Sequence, residues 1–169
     1  MILFTSKSDM QFVYSQLQEE NLPWTLLVQR EGSSQEEVKK KFSEEENSIL
    51  LSTGIFWEGI DIAGPSLSNL IIFKMPFSVP DPILKYKASL SKNGFLEVYL
   101  PEMVIKLRQG LGRLIRKETD KGIVTILDSR ISSVQNTTYR KTVLEAIPFK
   151  NVTEDFQEVE KFVNDVLKF

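Results

Sequence analysis

The 169-residue sequence contains no cysteine and no histidine. Without cysteine, disulfide bonds, thiolate zinc sites and iron–sulfur clusters are excluded within these residues. Without histidine, the commonest general base and the Ser/His and Cys/His catalytic pairs are excluded as well. Any chemistry must therefore depend on carboxylates, lysine, arginine, hydroxyl groups or backbone amides.

The sequence also lacks long apolar runs, and no charged N-terminal region precedes an apolar signal segment. We therefore expect a cytoplasmic protein that does not contact the membrane. The net charge of −2 argues weakly against binding nucleic acid by bulk attraction. The charge is unevenly distributed, because acidic residues prevail over 31–46 and 154–169 and basic residues prevail over 106–130.

Strand-like and helix-like segments alternate along the chain. Helices are expected at about 8–20, 33–46, 83–90, 101–117, 139–146 and 153–167. This alternation predicts a single α/β domain over residues 1–169, with a mainly parallel sheet between two layers of helices. Five strands are predicted, at Met1–Ser6, Trp24–Gln29, Ser48–Thr53, Asn69–Met75 and Gly122–Leu127.

The carboxyl ends of parallel strands are where functional residues are expected in such a fold. Thr5 and Ser6 end the first predicted strand, and Ser52 and Thr53 end the third. The sequence contains neither a G-x-x-x-x-G-K-(S/T) phosphate loop nor a G-x-G-x-x-G dinucleotide fingerprint after a strand. The pattern therefore predicts the architecture of a nucleotide enzyme without its own phosphate-binding loop.

The helix predicted at 101–117 combines an apolar stripe with a polar face. Helical spacing places Gln109, Arg113 and Arg116 within about 60° of each other, as an array of donors suited to phosphate oxygens. Gly110 and Gly112 would each cost about 1 kcal/mol relative to Ala inside a helix, which predicts a close approach by backbone or ligand. The apolar stripe consists of Leu100, Met103, Val104, Leu107, Leu111, Leu114 and Ile115.

Five segments resemble, in order, motifs of the DinG/XPD-type superfamily 2 DNA helicases. Ile2–Ser6 resembles motif IV, Phe56–Asp61 resembles motif V (F-W-E-G-(I/V)-D), and Gln109–Arg116 resembles motif VI (Q-G-x-G-R-x-I-R). Lys74–Pro82 and Leu127–Arg130 resemble the family's K-L-P-F-x-x-P-x-D-P and L-D-x-R segments, the former with one residue fewer. The resemblance spans about residues 2–130. It implies the C-terminal RecA-like domain of a helicase, a three-layer α/β/α fold excised from a longer protein.

The resemblance also implies a nucleotide site shared between two domains. ATP and its Mg²⁺ would bind in the cleft between this domain and a first RecA-like motor domain of the same polypeptide, and that first domain would make most of the contacts to them. No residue of this chain would ligate a metal. Arg113 and Arg116 would be the catalytic arginine fingers, with Arg116 the stronger candidate. The cofactor-binding residues would be Gln109, Glu58, Gly59 and Asp61.

Single-stranded DNA is the second ligand that the resemblance implies, in a bacterial, nucleoid-associated protein. Its phosphates would contact hydroxyl groups and neighbouring backbone amides without reading sequence. Trp57 is expected to pack beneath motif V, Lys74, Phe77 and Asp128 are expected to be scaffold, and the role of Arg130 is open. The residues expected to bind DNA are Thr5, Ser6, Ser52 and Thr53.

Two alternatives stay open. An RNA-directed superfamily 2 motor would normally carry A-R-G-x-D and H-R-x-G-R, where this chain has W-E-G-I-D and Q-G-L-G-R. A non-catalytic nucleic-acid-binding or interaction module would not need the paired arginines Arg113 and Arg116. ATPase activity in the longer gene product would separate the motor from the binding module.

Overall fold

Five strands form one sheet, in the order β2-β3-β1-β4-β5. The computed structural model describes residues 1–29, 34–45, 47–54, 67–112, 114, 121–135, 137–149 and 151–167. Every pair of neighbouring strands is parallel, as the sequence predicted. The strands are β1 (Ile2–Phe4), β2 (Thr25–Val28), β3 (Ser48–Thr53), β4 (Asn69–Ile72) and β5 (Ile123–Ile126).

Helices occupy much of the chain between and after these strands. A π-helical segment, Phe95–Tyr99, leads directly into the fourth α-helix and was not predicted from the sequence. A second, Val163–Leu167, continues the last helix. The α-helices are α1 (Lys7–Glu19), α2 (Gln35–Glu44), α3 (Pro82–Ser89), α4 (Leu100–Leu111), α5 (Arg140–Ala146) and α6 (Phe156–Phe162).

Side-chain caps determine where the first three helices begin. Ser34 precedes α2 and Asp81 precedes α3, and each accepts a hydrogen bond from the amide three residues later. Pro82 then occupies the first turn of α3, where no amide donor is required. Helix α1 is capped by Ser6 and so begins slightly earlier than the predicted start at about residue 8, because the Ser6 backbone is extended and its hydroxyl accepts from the Asp9 amide.

Helices cover both faces of the sheet, which confirms the predicted α/β/α layers. The chain moves from β1 to β2 through α1 and back towards β3 through α2. Because parallel crossovers are right-handed, opposite directions of travel place these two helices on opposite faces. Met10 of α1 packs against Phe4 and Leu51 on one face. On the other face, a larger cluster joins α2, α4 and α5 to the strands through Val38, Phe42, Met103, Leu107, Leu111 and Val143.

The central strands are buried on both sides. Leu3 and Leu50 contribute to the larger cluster, whereas Phe4 and Leu51 contribute to the α1 face, and all four are 0% exposed. This explains why the strands read as continuous apolar runs in the sequence. Among the helices that the structure describes, none is both long enough and apolar enough to cross a membrane.

Candidate functional site

The neighbouring strands β1 and β3 end at a point where the chain reverses its direction across the sheet. The chain continues from β1 to β2 but from β3 to β4, on opposite sides of this pair. Such a reversal opens a crevice at the carboxyl ends of the two strands, where open α/β sheets bind their ligands. Thr5 and Ser6 directly follow β1, and Ser52 and Thr53 end β3. The structure therefore brings together the four hydroxyl residues predicted from the sequence, and the crevice between them is called the hydroxyl crevice below.

Thr5 and Ser6 form one side of this crevice. The Thr5 side chain is exposed. The Ser6 hydroxyl accepts a hydrogen bond from the Asp9 amide at 3.3 Å and lies 2.6 Å from the Ser8 hydroxyl. Because Ser6 is the cap of α1, it also marks a helix N-terminus, where unpaired amides and the helix dipole favour anions.

Ser52 and Thr53 form the other side, and their environments differ. Ser52 is 0% exposed, and its hydroxyl donates a hydrogen bond to Gln29 Oε1 at 2.8 Å. The Thr53 amide approaches the same oxygen at 3.4 Å, and its side chain is half-buried. Gly54 then turns the chain with φ +53°, a conformation that favours glycine. Thr53 is therefore accessible to a ligand, whereas the Ser52 hydroxyl is already occupied.

Lys74 adds a cation to this carboxyl edge, at the end of β4. Its ammonium group lies 2.8 Å from Asp9 Oδ2 and 5.6 Å from the centroid of the Phe73 ring. The ion pair joins the end of β4 to the first turn of α1, and half of the Lys74 side chain stays exposed. Its contacts are of the scaffold kind expected from the sequence.

The segment Lys74–Pro82 and the segment Leu127–Arg130 are bonded to each other. Asp128 Oδ2 accepts a hydrogen bond from the Met75 amide at 2.8 Å, and the Asp128 carboxylate also accepts from Arg130 Nε at 2.8 Å. The Arg130 guanidinium lies 5.3 Å from the centroid of the Phe77 ring. The role of Arg130 was left open by the sequence, and the structure places Arg130 against Asp128 and Phe77, where the two segments meet.

Helix α4 runs from this carboxyl edge to the opposite, amino edge of the sheet. At its beginning, Phe95 of the preceding π-helical segment stacks on Phe77 with ring centroids 5.7 Å apart. Beyond its end, Leu114 lies against Gly122, where an added Cβ would be 2.7 Å from Leu114 Cδ1 and 2.9 Å from the Ser68 oxygen. Ser68 and Gly122 immediately precede β4 and β5. The end of α4 is therefore held at the amino edge.

The apolar stripe predicted for this helix is confirmed for its described members, and Gln109 is exposed; Ile115 lies outside the described residues. Met103, Leu107 and Leu111 are 0% exposed, and Leu114 is 5% exposed. Gln109 lies in the last turn of α4, with its side chain exposed to solvent. It is separated from the hydroxyl crevice by the length of a strand, about 13 Å for four residues. Gln109 and the hydroxyl crevice are thus at opposite edges of the sheet.

The predicted extension of this helix to about residue 117 is wrong. Helix α4 ends at Leu111, Gly112 is its C-cap, and the Leu114 amide bonds to the Leu111 oxygen in a turn. Gly112 therefore lies at the helix end and not in its interior. The glycines at 110 and 112 weaken helix propensity, and the chain must turn there to reach β5. Because α4 ends at Leu111, the prediction that Arg113 and Arg116 share a helical face with Gln109 has no support from this helix.

Several predicted site residues lie outside the described residues. They include Arg113 and Arg116 after α4, and Glu58, Gly59 and Asp61, together with Trp57, after β3. Within the described ranges, no group of three or more acidic, histidine or cysteine residues is arranged to hold a metal ion.

Comparison with known proteins identifies the family. Residues 1–161 match the helicase C-terminal domain family. The chain is 41% identical over 165 residues to the ATP-dependent DNA helicase DinG of Photobacterium profundum, covering 91% of this chain and 23% of that protein. It is 38% identical over 146 residues to the ATP-dependent DNA helicase YoaA of Haemophilus influenzae, with coverages of 83% and 22%. It is also 38% identical over 163 residues to the 3'-5' exonuclease DinG of Bacillus subtilis, with coverages of 91% and 17%.

Solved structures show the same fold. An XPD helicase superposes with a TM-score of 0.65 at 24% identity, covering 90% of this chain and 28% of that chain. An apo structure of XPD gives a TM-score of 0.65 at 27% identity, with coverages of 89% and 31%. The chain spans between 17% and 23% of the length of the three bacterial relatives described above. From the match over residues 1–161 and these similarities, the chain belongs to the helicase C-terminal domain family and is a domain of the DinG/XPD type.

Proposed function

We propose that this chain is the second motor domain of an ATP-dependent DNA helicase and works with a first RecA-like motor domain of the same polypeptide. Membership in the helicase C-terminal domain family is the observation that carries this proposal. The absence of a phosphate loop from these 169 residues supports it, because the first motor domain would supply that loop and make most of the contacts to Mg²⁺. Such a protein would act in the cytoplasm, on the bacterial nucleoid.

Arg113 and Arg116 would deliver positive charge to the γ-phosphate across the cleft. Phosphoryl transfer develops charge on the equatorial oxygens, and an arginine supplied from a second domain accelerates it by about 10³–10⁵-fold. Gln109 would help to position the nucleotide from the exposed side of α4. The buried apolar stripe of α4 would fix the position of Gln109 relative to the sheet, and so the position from which it faces the first motor domain.

Motif V would connect the nucleotide to the DNA. Gly54 follows β3 at the carboxyl edge, and Leu67 precedes β4 at the amino edge. The sequence between them contains Glu58, Gly59 and Asp61. The Asp61 carboxylate would accept hydrogen bonds from the ribose hydroxyls, and Gly59 would allow close approach of the backbone.

The crevice between β1 and β3 would be this domain's part of the single-stranded DNA track. Thr5, Ser6 and Thr53 would donate hydrogen bonds to phosphate oxygens, assisted by the N-terminus of α1. Contacts of this kind do not distinguish bases. They suit a motor that must move along any sequence, and this favours the motor over a sequence-selective binding module.

Arg116→Ala in the full-length protein tests the catalytic part of the proposal. If Arg116 is the arginine finger, the substitution should slow DNA-stimulated ATP hydrolysis by about 10³–10⁵-fold, or about 4–7 kcal/mol in the activation free energy. Arg116→Lys should restore little activity, because a point charge cannot reproduce the planar guanidinium. Steady-state phosphate release and thermal melting are measured on each variant.

Leu111→Ala is the matched control for Arg116→Ala. Leu111 is 0% exposed at the end of α4, and its truncation should cost about 2–5 kcal/mol of folding free energy through a cavity. Near-normal turnover by Arg116→Ala would exclude the finger role. Melting as low as that of Leu111→Ala would show that Arg116 is structural.

A further inference from the structure

Gln29 is a polar residue in the crevice region that sequence reasoning did not single out. It directly follows β2, and its Oε1 accepts from the Ser52 hydroxyl at 2.8 Å and faces the Thr53 amide at 3.4 Å. A backbone amide can only donate, so the carboxamide atom that faces Thr53 must be the oxygen. The carboxamide is thereby locked with its oxygen towards the protein. No acceptor among the described residues is bonded to Nε2, so its donors can serve an external acceptor.

The sheet register places this carboxamide beside the hydroxyl crevice. Val28 pairs with Leu51, so Gln29 is the neighbour of Ser52 across the β2–β3 pair. Neighbouring strands lie about 4.8 Å apart. In the register of the sheet, Gln29 therefore lies level with Ser52, one residue before the level of Thr53 and two before that of Thr5, at the same carboxyl edge.

Ser52 places a hydroxyl group in the buried core, and its hydrogen bond to Gln29 accounts for it. Leu50 and Leu51 precede it, and all three are 0% exposed. A buried hydroxyl without a hydrogen bond is costly, and the bond that the structure gives to this hydroxyl goes to Gln29. A Ser at this position therefore fixes the Gln29 carboxamide, and it is too deep to contact a ligand itself.

We propose that Gln29 binds a phosphate oxygen of single-stranded DNA through Nε2, and that Ser52 is a positioning residue that holds Gln29 in this donor orientation. The inference rests on the proposed DNA track and extends it by one strand, to β2. A neutral amide donor is among the groups that commonly contact DNA phosphates. It adds a neutral donor to the carboxyl edge where Thr53 and Thr5 lie, and it does not read bases.

Gln29→Glu separates binding from folding. The glutamate carboxylate can accept both hydrogen bonds from Ser52 and Thr53, but it replaces the Nε2 donor with a negatively charged oxygen. We expect affinity for a 20-nucleotide oligothymidylate to fall by about tenfold or more at low salt, with the melting temperature unchanged. Gln18→Glu is the matched control, since it adds the same charge to the exposed far end of α1 and should change affinity less than about twofold.

Ser52→Ala tests the positioning role. It should weaken DNA binding on its own, but it should have no further effect in the Gln29→Glu background, because it acts through Gln29. Fluorescence anisotropy of the wild type, both single variants and the double variant completes the cycle. Equal affinities of Gln29→Glu and Gln18→Glu would overturn the role of Gln29, and an additive Ser52→Ala effect would overturn the positioning role. A wild-type chain that binds no DNA would overturn the proposed track itself, a result distinct from both.

Discussion

The Asp128 carboxylate joins two segments that are more than fifty residues apart. It accepts from the Met75 amide at 2.8 Å and from Arg130 Nη2 at 2.5 Å. The Asp128 side chain is 5% exposed, whereas that of Arg130 is 46% exposed. The bond to a buried amide makes Asp128 a structural residue at the carboxyl edge. The ion pair with the partly exposed Arg130 would stabilise the fold less than the bond to the buried amide.

Burial by itself raises the pKa of Asp128, but the hydrogen bonds from Arg130 and from the Met75 amide outweigh it and hold the pKa below its ordinary value. A carboxyl whose pKa is lowered by folding stabilises the protein above its unfolded pKa. This stabilisation is lost as the pH falls through the folded pKa. The contribution of Asp128 should therefore be complete at pH 7, begin to decrease below the ordinary carboxyl pKa of about 4, and be lost as the pH falls through the lowered folded pKa.

Asp128→Asn tests this dependence. At pH 7 the variant should lose about 1.5–3 kcal/mol of unfolding free energy, because each carboxylate oxygen accepts two hydrogen bonds and the Asn NH2 group that replaces one of them accepts none. Once the pH falls below the folded pKa of Asp128, the wild type and the variant should converge, since both then carry a neutral group. Urea unfolding across pH measures the difference, with the exposed Asp165→Asn as control. A pH-independent difference would contradict the assignment.

At the scale of the element, α4 shows what a sequence pattern can predict. Its apolar stripe follows from helical periodicity, and the structure confirms that the described members of the stripe pack in the core. Its end does not follow from periodicity, because the end depends on where Leu114 meets Gly122 and Ser68. This is a contact between distant parts of the chain. The interpretation of Arg113 and Arg116 therefore rests on the family resemblance and not on a continuous helical face.

The hydroxyl crevice could likewise be predicted only in part. Residues at strand ends are visible in the sequence, so Thr5, Ser6 and Thr53 could be selected before the strand order was known. Gln29 could not, because its significance comes from its pairing with Ser52 across two strands. The different environments of Ser52 and Thr53 arise from alternation within β3, which directs one side chain into the larger core cluster.

Gly122→Ala tests how the end of α4 is held. The added Cβ would lie 2.9 Å from the Ser68 backbone oxygen as well as 2.7 Å from Leu114, so the turn between α4 and β5 would have to shift. We expect a loss of about 1–3 kcal/mol in unfolding free energy. Gly112→Ala is the control: its φ of −63° suits alanine and its nearest contact is 3.3 Å, so the change should stay within about 1 kcal/mol. Equal effects of the two substitutions would show that Leu114 is not packed at this edge.

At the scale of the whole molecule, the two candidate sites lie at opposite edges of one sheet. The hydroxyl crevice is at the carboxyl edge, and the end of α4 with Gln109 is at the amino edge. In the proposed motor, the domain would contact DNA at one edge and the nucleotide at the other. The rigid parallel sheet and α4 would transmit force between them. This arrangement suits half of a two-domain motor better than a self-contained enzyme.

The 169-residue chain alone should therefore have no DNA-stimulated ATPase activity and should bind single-stranded DNA only weakly. No phosphate loop is present in its sequence, and a net charge of −2 provides little long-range attraction. Each phosphate contact that does release counterions should contribute about −0.7 to the slope of log affinity against log salt, so a track without many cations should give a shallow slope. Phosphate release with and without oligothymidylate, and anisotropy across a salt series, test both expectations. DNA-stimulated turnover by the chain alone would contradict the half-motor proposal. Tight, sequence-selective binding that persists at high salt would instead favour the non-catalytic binding module.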